Sequence, residues 1–312
     1  MVLPRARTNN IFKKEDKPLV AKVSHLNGDY LQASVRAALT LLGGLDQALH
    51  AGDSVIIKPN FNCSYATPLS TDLGMLAAVI EVLQDAGVKA TVGEMSGRAD
   101  WPTEKVVDRL GVLPVLKRYG VPFINFQYDE WLEVEVMSPH WSSIHVPRSI
   151  YEYEKRLYLA NMRCHSSGRF SASLKLAVGW LSVEDREILH EDKLTTEARI
   201  AELSLAWQPD LVLVDGRRST VEWAGRGPYV YPNVIMASGD MVAIDAEVVK
   251  ILKTYPAENR IRPALEELGQ LATAAALGIG SFNSIVVEAP AHTRTEEENN
   301  LDPATLAVMN TP

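Results

Sequence analysis

Cysteine is all but missing: Cys63 and Cys164 are the only two in 312 residues. Two thiols do not build a disulfide framework, and with no CxxC pair the chain offers no structural zinc site and no iron–sulfur cluster of its own. Long apolar runs are missing as well. None reaches the roughly 18 residues of a membrane span. The first 17 residues carry five basic side chains but no apolar stretch of the kind a secretory signal needs. Cytoplasmic residence, with no membrane partner, is the expectation. A basic surplus is also lacking: the formal net charge is −8, which argues against nucleic acid as a partner. Several fingerprints are absent, namely GxGxxG after a strand, GxxxxGKS/T, HExxH and GxSxG. A dinucleotide (NAD) fold of the Rossmann type, a P-loop ATPase and an α/β-hydrolase are therefore disfavoured. No internal repeat is visible.

What is present suits a globular protein. Apolar residues make up 46% and charged residues 22%, enough for one large core or two modest ones. Residues 1–17 read as a flexible basic arm and 290–312 as a frayed tail, acidic at Glu296 to Glu298. Between them, short β-branched runs alternate with helical periodicities. Strands are expected at Leu19 to Val23, Asp53 to Lys58, Lys89 to Glu94, Phe123 to Phe126, Leu157 to Ala160, Asp210 to Asp215, Val234 to Ala237 and Ile285 to Glu288. Asn27-Gly28-Asp29 offers a turn and cap for a helix from about Tyr30 to Leu42. Thr71-Asp72 caps a second helix, whose apolar face is Leu73, Leu76, Ala77, Ile80 and Leu83. Further helices are expected at 102–119, broken at Gly111 and Pro114, at 197–207, from Asp240 to Lys253, and at 262–276. From 128 to 155, Leu132, Val134 and Val136 alternate with acids, the pattern of an antiparallel insertion. The expected fold is α/β: a mostly parallel sheet flanked by helices, spanning 18–289 in two lobes at about 18–156 and 157–289.

The most informative stretch is Arg163-Cys164-His165-Ser166-Ser167-Gly168-Arg169, running on through Lys175 to Gly179. It holds three fixed cations, a histidine, four serines and no acid. A basic loop feeding a helix N-terminus is a place to hold an anion. Lys175 lies off the apolar face formed by Leu174, Ala177, Val178 and Leu181. It is either an ordinary exposed lysine or one whose pKa is lowered by neighbouring cations for base or nucleophile work. Cys164 would be activated beside Arg163 if exposed, and inert if buried. His165 and His190 are the histidines best placed for chemistry, as proton carriers or weak metal candidates with Asp215.

Three strands end in a charge before a turn: Lys58, Glu94 and Asp215. In open parallel sheets the carboxyl ends of strands face the ligand crevice, so these three are expected to converge. Glu222 and the loop Gly225-Arg226-Gly227-Pro228 form a second polar group in which glycines let a ligand approach the backbone. Asp245 is either a helix-face acid or an orienter for a cation.

These segments together resemble the domain-of-unknown-function 362 family. The likeness is carried by Ile56-Ile57-Lys58-Pro59-Asn60; by Thr71-Asp72 through Ala86-Gly87 to Gly93-Glu94; by Arg163 to Gly179; by Asp210 to Pro228; and by Ala237-Ser238-Gly239-Asp240 to Asp245. It implies an α/β fold and a site using Lys58, Asn60, His165 and Lys175. The chain departs from the family pattern at Arg163-Cys164-His165, where lysine-threonine-histidine is common, and at Lys175-Leu176, where lysine-asparagine is often found. Some members append a ferredoxin-like module, and no such cysteine cluster occurs here. The order of elements is also distantly similar to the α/β domain of the lactate racemase family, without grounds to transfer its nickel cofactor.

The expectation is an enzyme acting on a small carboxylate- or phosphate-bearing molecule. Lys58, Asn60, Glu94, Arg163, Arg169, Gly225 and Gly227 would bind it; Lys175 or His165 would move a proton, with Asp215 or Glu222 as partner. The alternative is an accessory protein that binds a metal ion or cofactor and serves a ferredoxin-like redox partner.

Overall fold

The computed structural model describes residues 9–24, 31–96, 101–222, 228–257 and 259–289. The Asn27-Gly28-Asp29 cap, Gly225, Gly227 and the 290–312 tail lie outside these residues, as do 1–8 of the proposed arm.

The expected strands form one continuous sheet. In chain order its main strands are β1 (Lys17–Ser24), β2 (Ser54–Lys58), β3 (Lys89–Glu94), β4 (Phe123–Asn125), β5 (Lys155–Asn161), β6 (Leu211–Gly216), β7 (Val234–Ser238) and β8 (Ile285–Ala289). Across the sheet the order is β8-β1-β7-β6-β5-β2-β3-β4. The pairs β5–β6, β2–β5, β2–β3, β3–β4 and β1–β8 are parallel, and β7 runs against both β6 and β1. Residues 13–17 do not behave as an arm. Lys13 and Lys14 fold back on β1 through a turn at Glu15 and Asp16, both at positive φ, and Phe12 is buried.

Period-two alternation gives each strand two apolar faces, as a sheet covered on both sides requires. On β2, Val55 and Ile57 enter one core and Ile56 the other; on β5, Leu157 and Leu159 oppose Tyr158 and Ala160. The first core is closed by α1 (Leu31–Leu41), α2 (Leu73–Asp85), α3 (Thr103–Leu110) and α4 (Val112–Arg118). The second is closed by α5 (Ser173–Leu176), α6 (Val183–Glu191), α7 (Thr196–Glu202), α8 (Met241–Lys253) and α9 (Gly269–Ala276). The caps read from sequence are in place: an Asp72 oxygen accepts from Met75 N–H at 2.9 Å and an Asp240 oxygen from Ala243 N–H at 2.8 Å. Gly111, at φ 76°, separates α3 from α4, as only a residue free of Cβ strain does readily. The insertion is an antiparallel hairpin, Trp131–Glu135 against Ser143–Pro147, which packs Val134, Ile144 and Val146 on the second core.

One topological feature positions everything that follows. From β2 the chain proceeds to β3 and β4 in one direction across the sheet; from β5 it proceeds to β6 and β7 in the other. The β2–β5 pair is therefore the switch point, where the connections diverge and leave a crevice beyond the strand ends.

Candidate functional site

A cavity of about 440 Å³ opens at that switch point. Its lining joins Lys58 at the end of β2, Asn60 just after it, Glu94 at the end of β3, and Arg163 just past β5; His165, Lys175, Gly179, Arg186 and His190 also line it. The stretch that sequence reads as a loop is a small hairpin, Arg163–His165 paired with Arg169–Ser171 around a Ser166-Ser167-Gly168 turn.

Lys58 and Glu94 form the floor. Lys58 Nζ lies 2.6 Å from Glu94 Oε1, and both side chains are almost fully buried. Each is further satisfied: Lys58 donates to the Pro59 carbonyl at 2.7 Å, while Glu94 accepts from the Phe61 N–H at 2.7 Å and the Met95 N–H at 2.9 Å. A buried ion pair persists when its remaining hydrogen-bond capacity is met, as it is here. A Cβ at position 179 would overlap the Lys58 ammonium and crowd Glu94, so glycine is required there for close approach.

The opposite wall is different. Arg163 is 7% exposed, yet its Nε and Nη1 have no hydrogen-bond partner among the described residues. Burial lowers its pKa to about 10, which still leaves it charged at neutral pH. Lys175, partly exposed to the cavity, has neither an ion pair nor a hydrogen bond among the described residues, and desolvation together with Arg163 and Arg186 lowers it to about 7. No acid contributes to that shift. His165 is fixed in one tautomer: its Nδ1 faces the backbone N–H groups of Ser167 at 3.2 Å and Gly168 at 3.3 Å. Backbone amides only donate, so Nδ1 is the lone pair and the proton sits on Nε2. Burial, followed by Lys175, Arg163 and His190, drives its pKa well down, so the ring is a neutral hydrogen-bond donor at pH 7.

Arg186 is the residue sequence reading passed over. It was submerged in the acid-rich run 184–197, yet it is buried and donates to the carbonyls of Leu181 and Met95, both at 3.1 Å. Its signal was spacing: Arg186 and His190 are four apart on α6, hence on one face, and both line the cavity.

The family model described as a domain of unknown function (DUF362) matches residues 55–250, well over half the chain. The protein belongs to the domain-of-unknown-function 362 family. It is also 26% identical over 257 residues to a thylakoid-associated protein of Synechocystis sp., covering 79% of this chain and 78% of that one. Among the described residues no helix is long and apolar enough to cross a membrane.

The positions that the DUF362 resemblance singles out, Lys58, Asn60, His165 and Lys175, all line the one cavity. Asn60 also holds the wall in place: its backbone N–H donates to Thr71 Oγ1 at 2.7 Å and its amide to the Leu69 carbonyl at 3.0 Å. At the two departures from the DUF362 pattern, Cys164 is buried in the second core, its thiol pushed up to about 12 by burial, and Leu176 lines the cavity. The exposed, activated form of Cys164 is thereby excluded.

Other sequence candidates lie elsewhere. Asp215 does not join Lys58 and Glu94. It accepts from Arg217 Nε at 2.9 Å and Nη2 at 2.7 Å, and Arg217 also holds Asp72 at 2.8 Å. Arg169 pairs with Glu197 at 2.6 Å and lines a neighbouring cavity with Lys193. Glu222 lines a small cavity with Cys164 and Asn259, which His165 also borders. The helix that the basic segment was expected to feed is two short turns, Ser173–Leu176 and Ala177–Trp180, and its N-terminus is not open to an anion. Asp245, fully buried on α8, accepts from the N–H groups of Ser173 at 2.8 Å and Leu174 at 2.9 Å. Asp245 is thus a cap supplied from another element. Among the described residues no group of three or more His, Cys, Asp or Glu side chains could hold a metal ion.

Proposed function

We propose that this protein is an enzyme acting on a small anionic molecule. Arg163 and Arg186 hold the anion and Lys175 takes and returns a proton. The observation that carries this is the Arg163 guanidinium, buried with two unpartnered nitrogens beside an acid-free Lys175. Leaving buried donors unmet is costly, and a carboxylate or phosphate bound in the cavity meets them with charge-assisted hydrogen bonds. Lys58 is already neutralised by Glu94 and serves as floor rather than anion clamp. Lys175, at about 7, is about half free base at pH 7, against about one part in three thousand for a lysine at 10.5. That is the range in which a general base works best. Neutral His165 offers Nε2–H to a developing negative charge.

A metal-carrying accessory role has less support, since His165 and His190 stand among fixed cations that repel a metal ion. Cytoplasmic residence stays part of the proposal, alongside a relative named for its thylakoid association.

The test is a panel of small carboxylates and phosphates, scored by thermal shift and by NMR-detected exchange of carbon-bound protons in D2O. At least one anion should raise the melt and exchange. Arg163→Met should weaken its apparent affinity by about tenfold or more, and Lys175→Ala should abolish exchange in a protein that remains folded by its melt. A panel in which nothing binds or exchanges overturns the proposal.

A further inference from the structure

Two lysines line the same cavity, and they are prepared for opposite tasks. Lys58 is tied to Glu94 and to the Pro59 carbonyl, so its nitrogen is already committed to partners within the protein. Among the described residues Lys175 meets no acid and no carbonyl, and its stem runs past Gly168, where even a Cβ would touch Lys175 Cδ. Apolar Leu176 and Val178 line the cavity beside it and limit its hydration. An amine kept unprotonated only to shuttle protons needs no particular neighbours for a carboxylate and a carbonyl oxygen, yet this one has one for each. Arg163 presents Nε and Nη1, two charged donors with no partner among the described residues, to which a carboxylate can bind. His165, locked by the Ser167 and Gly168 amides, presents a neutral Nε2–H. A carboxylate with an adjacent carbonyl matches that set: guanidinium to carboxylate, Nε2–H to carbonyl oxygen, amine to carbonyl carbon.

Resting on the anion-binding function proposed above, we infer that Lys175 is a Schiff-base lysine and that the substrate class is the 2-oxo carboxylates. The Nζ lone pair attacks the carbonyl carbon to form a C–N bond and a carbinolamine. The carbonyl oxygen then leaves as water with the two amine protons, giving a C=N bond. No oxidant or reductant enters the step. The imine is an electron sink, so loss of a proton or a carboxyl group from the adjoining carbon becomes easier. The push of Arg163 and Arg186 on the Lys175 pKa supports the same role, because only the free amine attacks.

The experiment is reductive trapping. The full-length protein is incubated with pyruvate or 2-oxoglutarate and sodium cyanoborohydride near neutral pH, then mapped by peptide mass spectrometry. The reduced adduct is expected on Lys175 and not on Lys58, forming about tenfold or more faster than on exposed lysines. Malonate should compete with it, and Arg163→Met should slow it. Lys175→Met, checked by its melt to be folded, should carry no adduct in the cavity. Adducts spread evenly over surface lysines overturn the inference, as does trapping that malonate leaves untouched. The two proposals separate cleanly: proton exchange and anion-induced melt shifts with no Lys175 adduct sink the Schiff base alone. An ordinary Lys175 pKa, read by NMR of the 13C-methylated amine, sinks both.

Discussion

The floor and the wall of this cavity bury the same kind of charge and treat it in opposite ways. Lys58 on the floor has a carboxylate at 2.6 Å, a carbonyl at 2.7 Å and a glycine cut away to admit it. Arg163 and Lys175 on the wall have no such partners among the described residues. A folded chain tolerates a buried cation when its partners are built in, and pays in stability when they are not. The floor is therefore architecture, joining the ends of β2 and β3. The wall is strained by unmet charge, and unmet charge in a cavity is what an incoming anion relieves.

The largest expected effect breaks the floor. Glu94→Gln leaves the Lys58 ammonium buried without a counter-charge, which should cost about 3–5 kcal/mol in urea denaturation. Adding Lys58→Met should recover most of that loss, since the pair is removed together. A Glu94→Gln protein with wild-type stability would mean that the floor is not held by this pair.

Relieving the wall should do the reverse, and with a definite pH dependence. Lys175 is at about 7 in the fold and 10.5 unfolded, so between those values the unfolded chain binds more protons and stability rises with pH. The penalty is fully present below about 7 and gone above about 10.5. Lys175→Met should thus be more stable than wild type at pH 6, by about 2 kcal/mol once partial exposure is discounted. The gap should close towards pH 10.5. A constant gap across that range would assign the difference to packing instead of charge.

The smallest effect is expected outside the cavity. Asp215→Asn weakens one arm of an ion pair in which Arg217 still keeps Asp72, a loss of about 1 kcal/mol. Anion-induced melt shifts should be unchanged. A loss of binding would bring Asp215 back into the site.

Much of this was legible from residues alone, for local reasons. The strands announce themselves by β-branched runs, α2 by its Asp72 cap and its 3.6-residue apolar spacing, and the insertion by its alternation. Lys58, Glu94 and Arg163 were recognisable because charge at a strand end is a short-range signal. Arg186 was not, because its surrounding run is acidic and its partners are the carbonyls of Leu181 and Met95, the latter 91 residues away. Arg169 and Asp215 were misplaced for a related reason: the acid or base that claims each of them, Glu197 or Arg217, can be chosen only once the backbone is in position.

The sequence by itself determined the α/β class, the succession of elements, the family and the basic character of the 163–179 segment. Those follow from periodicity, capping and composition, which act over a few residues. Which charges stay free was decided only by the tertiary structure. Asp245 reaches across 72 residues to take the N–H of Ser173 that had seemed available to an anion. Glu94 comes from a neighbouring strand to neutralise Lys58. Among the described residues no comparable acid reaches Lys175. Charge pairing depends on distance in space, and the sheet order that sets those distances is a property of the whole chain.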